Sequence, residues 1–337
     1  MLTMFPETFS DSMIGSVYQC PLRWFRMNCQ KFANYEERSE HLIAGSHFAK
    51  ACELARIAYY NEKKSMDDAI EVGYNFILEA EDTTSDEKSN LIVAKRFKKY
   101  LEQFPMEDDY KICELSDGTH AIEYVFQLEL PVLHPETGKK IIYKGKLDLI
   151  LETRLPGGKI KRVLADEKTT SRLARIAGTK DQDHPYGQVD IVKEENNYKL
   201  SPQLISYSWA CRELGVPLEE AWINKVPISK DYEPAVRLEI TISDFLIDTW
   251  YQSTVKKISE LAAKYQVWKE QQVLPKEYFD PSFNHDCVFF GRLCAFDIGC
   301  RNEDGEELLR GMYPQLVYDR EEKQVVQLKD YLTKRGL

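Results

Sequence analysis

The stretch Leu164 to Arg172, L-A-D-E-K-T-T-S-R, decides how this chain is read. It continues an apolar run, Val163-Leu164-Ala165, that marks a buried β-strand. The strand then ends in three ionisable residues side by side, Asp166, Glu167 and Lys168. Ionised groups at the edge of a sheet are costly unless they are solvated, paired or holding a metal. The strand's period of two sets Asp166 and Lys168 on one face and Glu167 on the other.

Immediately upstream, K-I-I-Y-K-G-K-L-D-L-I-L-E over 140–152 reads as a second strand, and R-L-P-G-G-K over 154–159 as the turn between them. Asp148 lies nine residues before Gly157 and Asp166 nine after it. An odd-numbered loop centred on Gly157 places the two aspartates opposite each other, with Cβ atoms about 4.5–5.5 Å apart. A two-residue Gly157-Gly158 loop places Glu167 opposite Asp148 instead. In the first register the carboxylates repel, and one pKa rises unless a cation binds between them. Oxygen-only ligands suit Mg²⁺ or Mn²⁺. A cation beside Lys168 would lower its pKa toward orienting water or taking its proton. The plain alternative for D-E-K alone is a solvated strand end. Asp148 weighs against it, because its neighbours Leu147, Leu149, Ile150 and Leu151 are not those of a solvated aspartate.

Outward from this hairpin the chain has a consistent order. Helical spacing runs over 39–63, 66–80 and 87–104. Strand composition covers 121–132, 140–152 and 160–168, and residues 169–200 read as a polar loop. A helix over 202–214, strands over 220–227 and 235–242, and a long helix over 243–271 follow. The pattern predicts an α/β fold, a mixed central β-sheet flanked by helices with helical N- and C-terminal additions. Three regions are expected within one integrated domain: a helical region 1–105 carrying Cys20 and His47, a core sheet 106–245, and a C-terminal helix and cysteine cluster 246–337.

The 337 residues carry a formal net charge of −10, with 43% hydrophobic and 30% charged residues. Bulk charge therefore does not suggest a nucleic-acid binder, and a polyanion partner would need a local basic surface or a metal. No run has the roughly 18 apolar residues of a membrane span. The first twenty residues lack a basic stretch followed by an apolar one, so no secretory signal is expected and the expected location is the cytoplasm. No G-x-x-x-x-G-K-[ST] loop is present, so the chain brings no P-loop motor.

Gly145-x-x-Asp148 followed by Asp166-x-Lys168-Thr169 resembles the core of the PD-(D/E)XK nuclease superfamily, and most closely its RecB-like exonuclease group. Two further elements fit in the group's order: Gly45 and His47 in A-G-S-H-F-A-K-A-C-E, and Gln203 and Tyr207 in P-Q-L-I-S-Y-S-W-A-C. The usual Pro-Asp dipeptide is absent, since Leu147 precedes Asp148. The resemblance implies a restriction-endonuclease-like core. It implies that Asp148 and Asp166 are metal ligands, that His47 completes the shell, and that the Glu167 backbone carbonyl touches the metal. Lys168 would serve the nucleophilic water, and Gln203 and Tyr207 would position the DNA strand or the lysine. Glu123 is a further acidic candidate.

Eight cysteines are present, and Cys287, Cys294 and Cys300 fall within a short C-terminal stretch, which points to metal or redox chemistry. Three thiolates need a fourth ligand, and His285 and Cys20 are the candidates. Iron–sulfur members of the RecB-like group place one cysteine near the N-terminus and three near the C-terminus. That resemblance implies a structural [4Fe-4S] cluster on Cys20, Cys287, Cys294 and Cys300. The wide spacing of Cys287 and Cys294 leaves Zn²⁺ as the alternative.

The expectation is a metal-dependent DNA nuclease, an exonuclease acting on ends or single strands of DNA, bacterial or phage-encoded, with room for a helicase or recombination partner. The alternatives are a non-catalytic DNA-end-binding or scaffold subunit that keeps the fold, and a zinc-bearing interaction protein whose D-E-K is incidental.

Overall fold

The structure is a computed structural model and describes residues 3–32, 40–80, 88–115, 118–180, 186–271, 273–284, 287–289, 292–319 and 324–335. Its chain divides into two compact units. One comprises Met1–Glu36, Gln127–Lys144 and Tyr251–Leu337, and the other Glu37–Phe126 and Gly145–Trp250. Cys20 thus belongs to the first unit and His47 to the second.

The N-terminal helices are α1 (Asp11–Gln19), α2 (Pro21–Asn28), α3 (Glu40–Arg56), α4 (Met66–Glu79) and α5 (Asn90–Gln103). Ser10 caps α1 by accepting from the Met13 amide at 3.4 Å, and a proline opens α2, where its missing N–H leaves no intrahelical bond unmade. Past Arg56, α3 runs into a π turn over Ile57–Asn61. The strands are β1 (Thr8–Phe9), β2 (Lys111–Ile112), β3 (Ile122–Leu133), β4 (Lys140–Arg154), β5 (Ile160–Thr170), β6 (Glu220–Pro227) and β7 (Val236–Ile240). Between β5 and β6 lie α6 (Ile191–Asn196) and α7 (Pro202–Glu213), and α8 (Asp244–Gln271) follows β7.

These strands form a mixed seven-stranded sheet, ordered β1-β4-β5-β6-β7 with β2 and β3 also on β4. The β4–β5 hairpin is antiparallel, and β5 pairs in parallel with β6. The parallel step needs a crossover, and α6 and α7 supply it. The polar stretch 169–200 is therefore not all loop. It contains the end of β5 and the short helix α6, whose cap Asp190 accepts from the Lys193 amide at 3.0 Å. Six residues are too few for a 3.6-residue period to show above the surrounding charge.

Within the second unit, α3, α4 and α5 bury a shared core of Phe48, Ala51, Cys52, Ala55, Ile77, Val93 and Phe97. Small residues on α3 let its neighbours approach closely. A Cβ on Gly45 would lie 2.8 Å from the Thr169 hydroxyl, so the glycine permits α3 to rest on the end of β5. Within the first unit, Phe5, Phe9, Trp24, Phe25, Tyr265 and Phe279 are buried among one another. Fully burying each such side chain contributes on the order of 2–3 kcal/mol. No helix among the described residues is long and apolar enough to cross a membrane.

Candidate active site

The β4–β5 register settles the geometry the sequence left open. Leu149 pairs with Ala165, Leu151 with Val163 and Arg154 with Ile160. One step further along this register, Asp148 faces Asp166. The loop is the odd-numbered one, with Gly157 and Gly158 both at positive φ, a region glycine enters without steric cost.

Asp166 is fully buried. Lys168 Nζ lies 3.0 Å from its Oδ1 and 2.7 Å from its Oδ2. Asp148 Oδ2 accepts from the Glu167 backbone amide at 3.4 Å. Burial, and then the charge of Asp166, push the Asp148 carboxyl up to about 9. Burial alone would lower Lys168, but the charges of Asp166, Asp148 and Glu167 raise it above the usual lysine value. That is the sense opposite to the one a neighbouring cation would give.

Glu167 points to the other face, as the strand's alternation requires. Its carboxylate is bound by both Arg56 amino groups, one at 3.1 Å, and by the Tyr100 hydroxyl at 2.8 Å. Asn224 Nδ2 donates to that hydroxyl at 2.9 Å, and Arg237 Nε to Asn224 Oδ1 at 2.9 Å. Burial pulls the Glu167 carboxyl upward, but the Arg56 charge and these hydrogen bonds outweigh it and hold the group below the ordinary range. Breaking one partner of such a buried pair typically costs about 3–5 kcal/mol. The network fixes β5 against α3 and α5, and with it the direction of Asp166 and Lys168.

The other expected residues occupy the same unit. His47, on α3 two residues past Gly45, has its Nδ1 3.3 Å from Asn90 Oδ1 and its ring edge-on to Phe76. Among the described residues no hydrogen bond or ion pair joins it to Asp148 or Asp166. Gln203 Nε2 donates to the Tyr207 hydroxyl at 3.0 Å on α7. Tyr207 also packs edge-on against Phe126, and a Cβ on Gly145 would meet both rings. The glycine three residues before Asp148 is thus the seat of α7 on β4. Glu123 pairs with Lys146 and sits at φ +51. That conformation costs a non-glycine residue about 1–2 kcal/mol, and such strain collects at functional sites.

The four candidate ligand cysteines, Cys20, Cys287, Cys294 and Cys300, lie in the first unit. Cys20 caps α2, its sulfur accepting from the Arg23 amide at 3.4 Å. The Cys294 amide donates to the Cys287 carbonyl at 2.9 Å, and the buried Arg26 donates to Cys300 Sγ at 3.3 Å. Burial, and then the nearby thiols of Cys20 and Cys300, push the Cys294 thiol up, partly offset by the Phe296 amide and Arg23. All four are free and half-buried. His285 lies outside the described residues.

By donor chemistry the opposed carboxylates suit a hard divalent cation and the gathered thiols a soft metal. As the side chains stand, no three histidine, cysteine, aspartate or glutamate residues among those described are arranged to hold a metal ion.

No protein-family model and no curated protein matches the chain. Among solved structures, a presumed exonuclease from Eubacterium rectale aligns over 88% of this chain and 94% of its own, at 15% identity and a TM-score of 0.42. A protein designated SSO0001 aligns over 70% of this chain and 96% of its own, at 13% identity and a TM-score of 0.23. At these scores the likeness carries no argument about fold or activity.

Sequence reasoning missed Arg56 and Tyr100. They lie far from Glu167 in the chain, and nothing in an amphipathic helix marks which arginine turns inward. The single available signal was Glu167 itself, a carboxylate on the apolar face of a core strand, which had to find a cation.

Proposed function

We propose that this chain is a metal-dependent nuclease of the PD-(D/E)XK type that hydrolyses phosphodiester bonds in DNA, acting as an exonuclease. One observation carries the reading: a hairpin register that sets Asp148 against a fully buried Asp166, with Lys168 held on Asp166. Asp148, Asp166, the Glu167 carbonyl and His47 would hold Mg²⁺ or Mn²⁺. Such an ion neutralises charge on the scissile phosphate and lowers the pKa of water.

The protein's own groups do the rest. Asp166 fixes the Lys168 ammonium on the reacting face, where it orients the attacking water and donates to the phosphate oxygens. Arg56 and Tyr100 keep Glu167 turned away, so that only its backbone faces the site. Gln203 and Tyr207, locked to each other, form a polar ledge on α7 for the strand being cut.

A structural iron–sulfur cluster on Cys20, Cys287, Cys294 and Cys300 is part of the proposal, with zinc as the other soft metal the thiols suit. What supports it is the gathering of cysteines from both ends of the sequence into one unit, half-buried and unpaired.

The decisive assay incubates linear DNA with Mg²⁺ or Mn²⁺ and compares the protein with Lys168→Ala. The variant is expected to lose roughly 10²–10⁴-fold in rate. Equal degradation by both, or none by either, rejects the nuclease reading, and the second result with retained DNA binding favours the scaffold alternative.

A further inference from the structure

The parallel strands β5 and β6 end at the same edge of the sheet, where Ile228 donates its amide to the Thr170 carbonyl at 2.7 Å. In open α/β sheets ligands sit beyond the carboxyl ends of parallel strands, and β5–β6 is such a parallel pair within this mixed sheet. Here that position is a cavity of about 500 Å³, a volume typical of ligand pockets. Five cations line it: Lys88, Arg172, Arg175, Lys180 and Lys230. They stand against two acids, Asp231 and Glu233, and Glu233 is already paired with Arg175. In a chain of net charge −10 this local excess is notable.

The walls are built. Lys88 is 6% exposed and donates to the Ser171 hydroxyl at 3.1 Å. Arg96 holds the carbonyls of Ser229 and Lys230 at 2.7 and 3.1 Å, and Arg175 holds the Gly187 carbonyl at 2.8 Å. Glu194 accepts from the Ala174 amide at 2.6 Å. By contrast, Arg172, Lys180 and Lys230 are exposed and form no ion pair among the described residues. Tyr186 presents an aromatic ring at 42% exposure on the same cavity.

We infer that this cavity is a subsite for single-stranded DNA. It takes the backbone phosphates of the strand beyond the scissile bond on its cations and an unpaired base on Tyr186. Cations beside an exposed aromatic ring are the arrangement that binds single strands, because only an unpaired base offers its face for stacking. Arg172 lies four positions after Lys168 in the chain, a reach of at most about 14 Å, so one strand can lie across both. The inference rests on the nuclease reading for that continuity, but not for binding itself.

The test is anisotropy titration of a labelled single-stranded oligonucleotide in EDTA across a salt series, with a blunt duplex of the same sequence beside it. Arg172→Ala/Lys180→Ala/Lys230→Ala is expected to weaken single-strand binding on the order of tenfold at low salt. It should also flatten the log–log salt slope by about 2, as loss of three phosphate contacts requires. Tyr186→Ala should weaken binding without changing the slope. Should the triple variant misfold, Lys180→Gln and Tyr186→Ala, both at exposed positions, replace it. Unchanged affinity and slope in the folded variants, no binding by the parent protein, or a preference for duplex overturns the inference. Asp166→Asn in the cleavage assay tests the nuclease reading separately: continued cleavage sinks that reading and leaves the titration to stand or fall alone.

Discussion

Asp148 shows how one residue can be placed against its own interest. A carboxyl whose folded pKa lies above its unfolded one holds its proton more tightly in the folded state. Between the ordinary value of 3.8 and about 9, the folded protein therefore loses stability as pH rises. Asp148→Asn removes that loss. Without divalent metal at pH 8, the variant should melt higher than the parent, by on the order of 2–4 °C for each kcal/mol recovered. Its cleavage rate should nonetheless fall by about 10²-fold or more. Calorimetry in EDTA at pH 5 and pH 8 checks the point, since the gain should be smaller at the lower pH. A variant that melts lower at pH 8 would mean that the Asp148–Asp166 pair is not a source of strain. Part of this was legible in sequence: apolar neighbours singled out Asp148, whereas the register that sets it against Asp166 was one of two that the Gly157-Gly158 turn allowed. Its partner's tie to Lys168 followed from the period of a strand.

At the scale of elements, Glu194 on α6 clamps the segment that leaves β5. It accepts from the Ala174 amide and is ion-paired with Lys225 on β6 at 2.5 Å. Burial would raise its pKa, but the Lys225 and Ala174 hydrogen bonds hold it below the ordinary 4.5. Its stabilising effect is therefore fully present above pH 4.5 and is lost as pH falls through the lowered folded value. Glu194→Gln should cost about 1.5–3 kcal/mol at neutral pH. Denaturant melts of the two proteins should converge below pH 4.5, and hydrogen exchange should speed up at Ala174 and Asp190, whose amides close this segment. A difference that persists undiminished in acid would show that the clamp does not act through charge. This clamp also marks where sequence reading ran out. The strands and helices flanking it follow from runs of apolar residues at period two or 3.6, a signal summed over many positions. The clamp and the Arg56–Glu167 pair depend on single side chains meeting across long stretches of chain. No local pattern records such a meeting, and the charged residues involved look like any solvated ones.

For the whole molecule, the two proposed metal sites fall in different units: Asp148 and Asp166 in Glu37–Phe126 with Gly145–Trp250, and Cys20, Cys287, Cys294 and Cys300 in the other. A cluster linking Cys20 to Cys287, Cys294 and Cys300 would close a loop containing most of the chain. Loop-closure entropy grows only slowly with length, so the gain comes chiefly from removing the freedom of the two ends. Cys294→Ser should then lower the melting temperature and bleach any brown colour, while the catalytic rate at low temperature stays within about threefold of the parent, because no reacting group is touched. Chemical analysis of the purified protein separates the metals: iron with sulfide supports the cluster, and zinc without colour supports the alternative. If neither metal is found and Cys294→Ser melts like the parent, the four thiols are ordinary packing residues. The fold of their unit would then rest on its aromatic core and the buried Arg26–Glu306 pair, 2.7 Å apart.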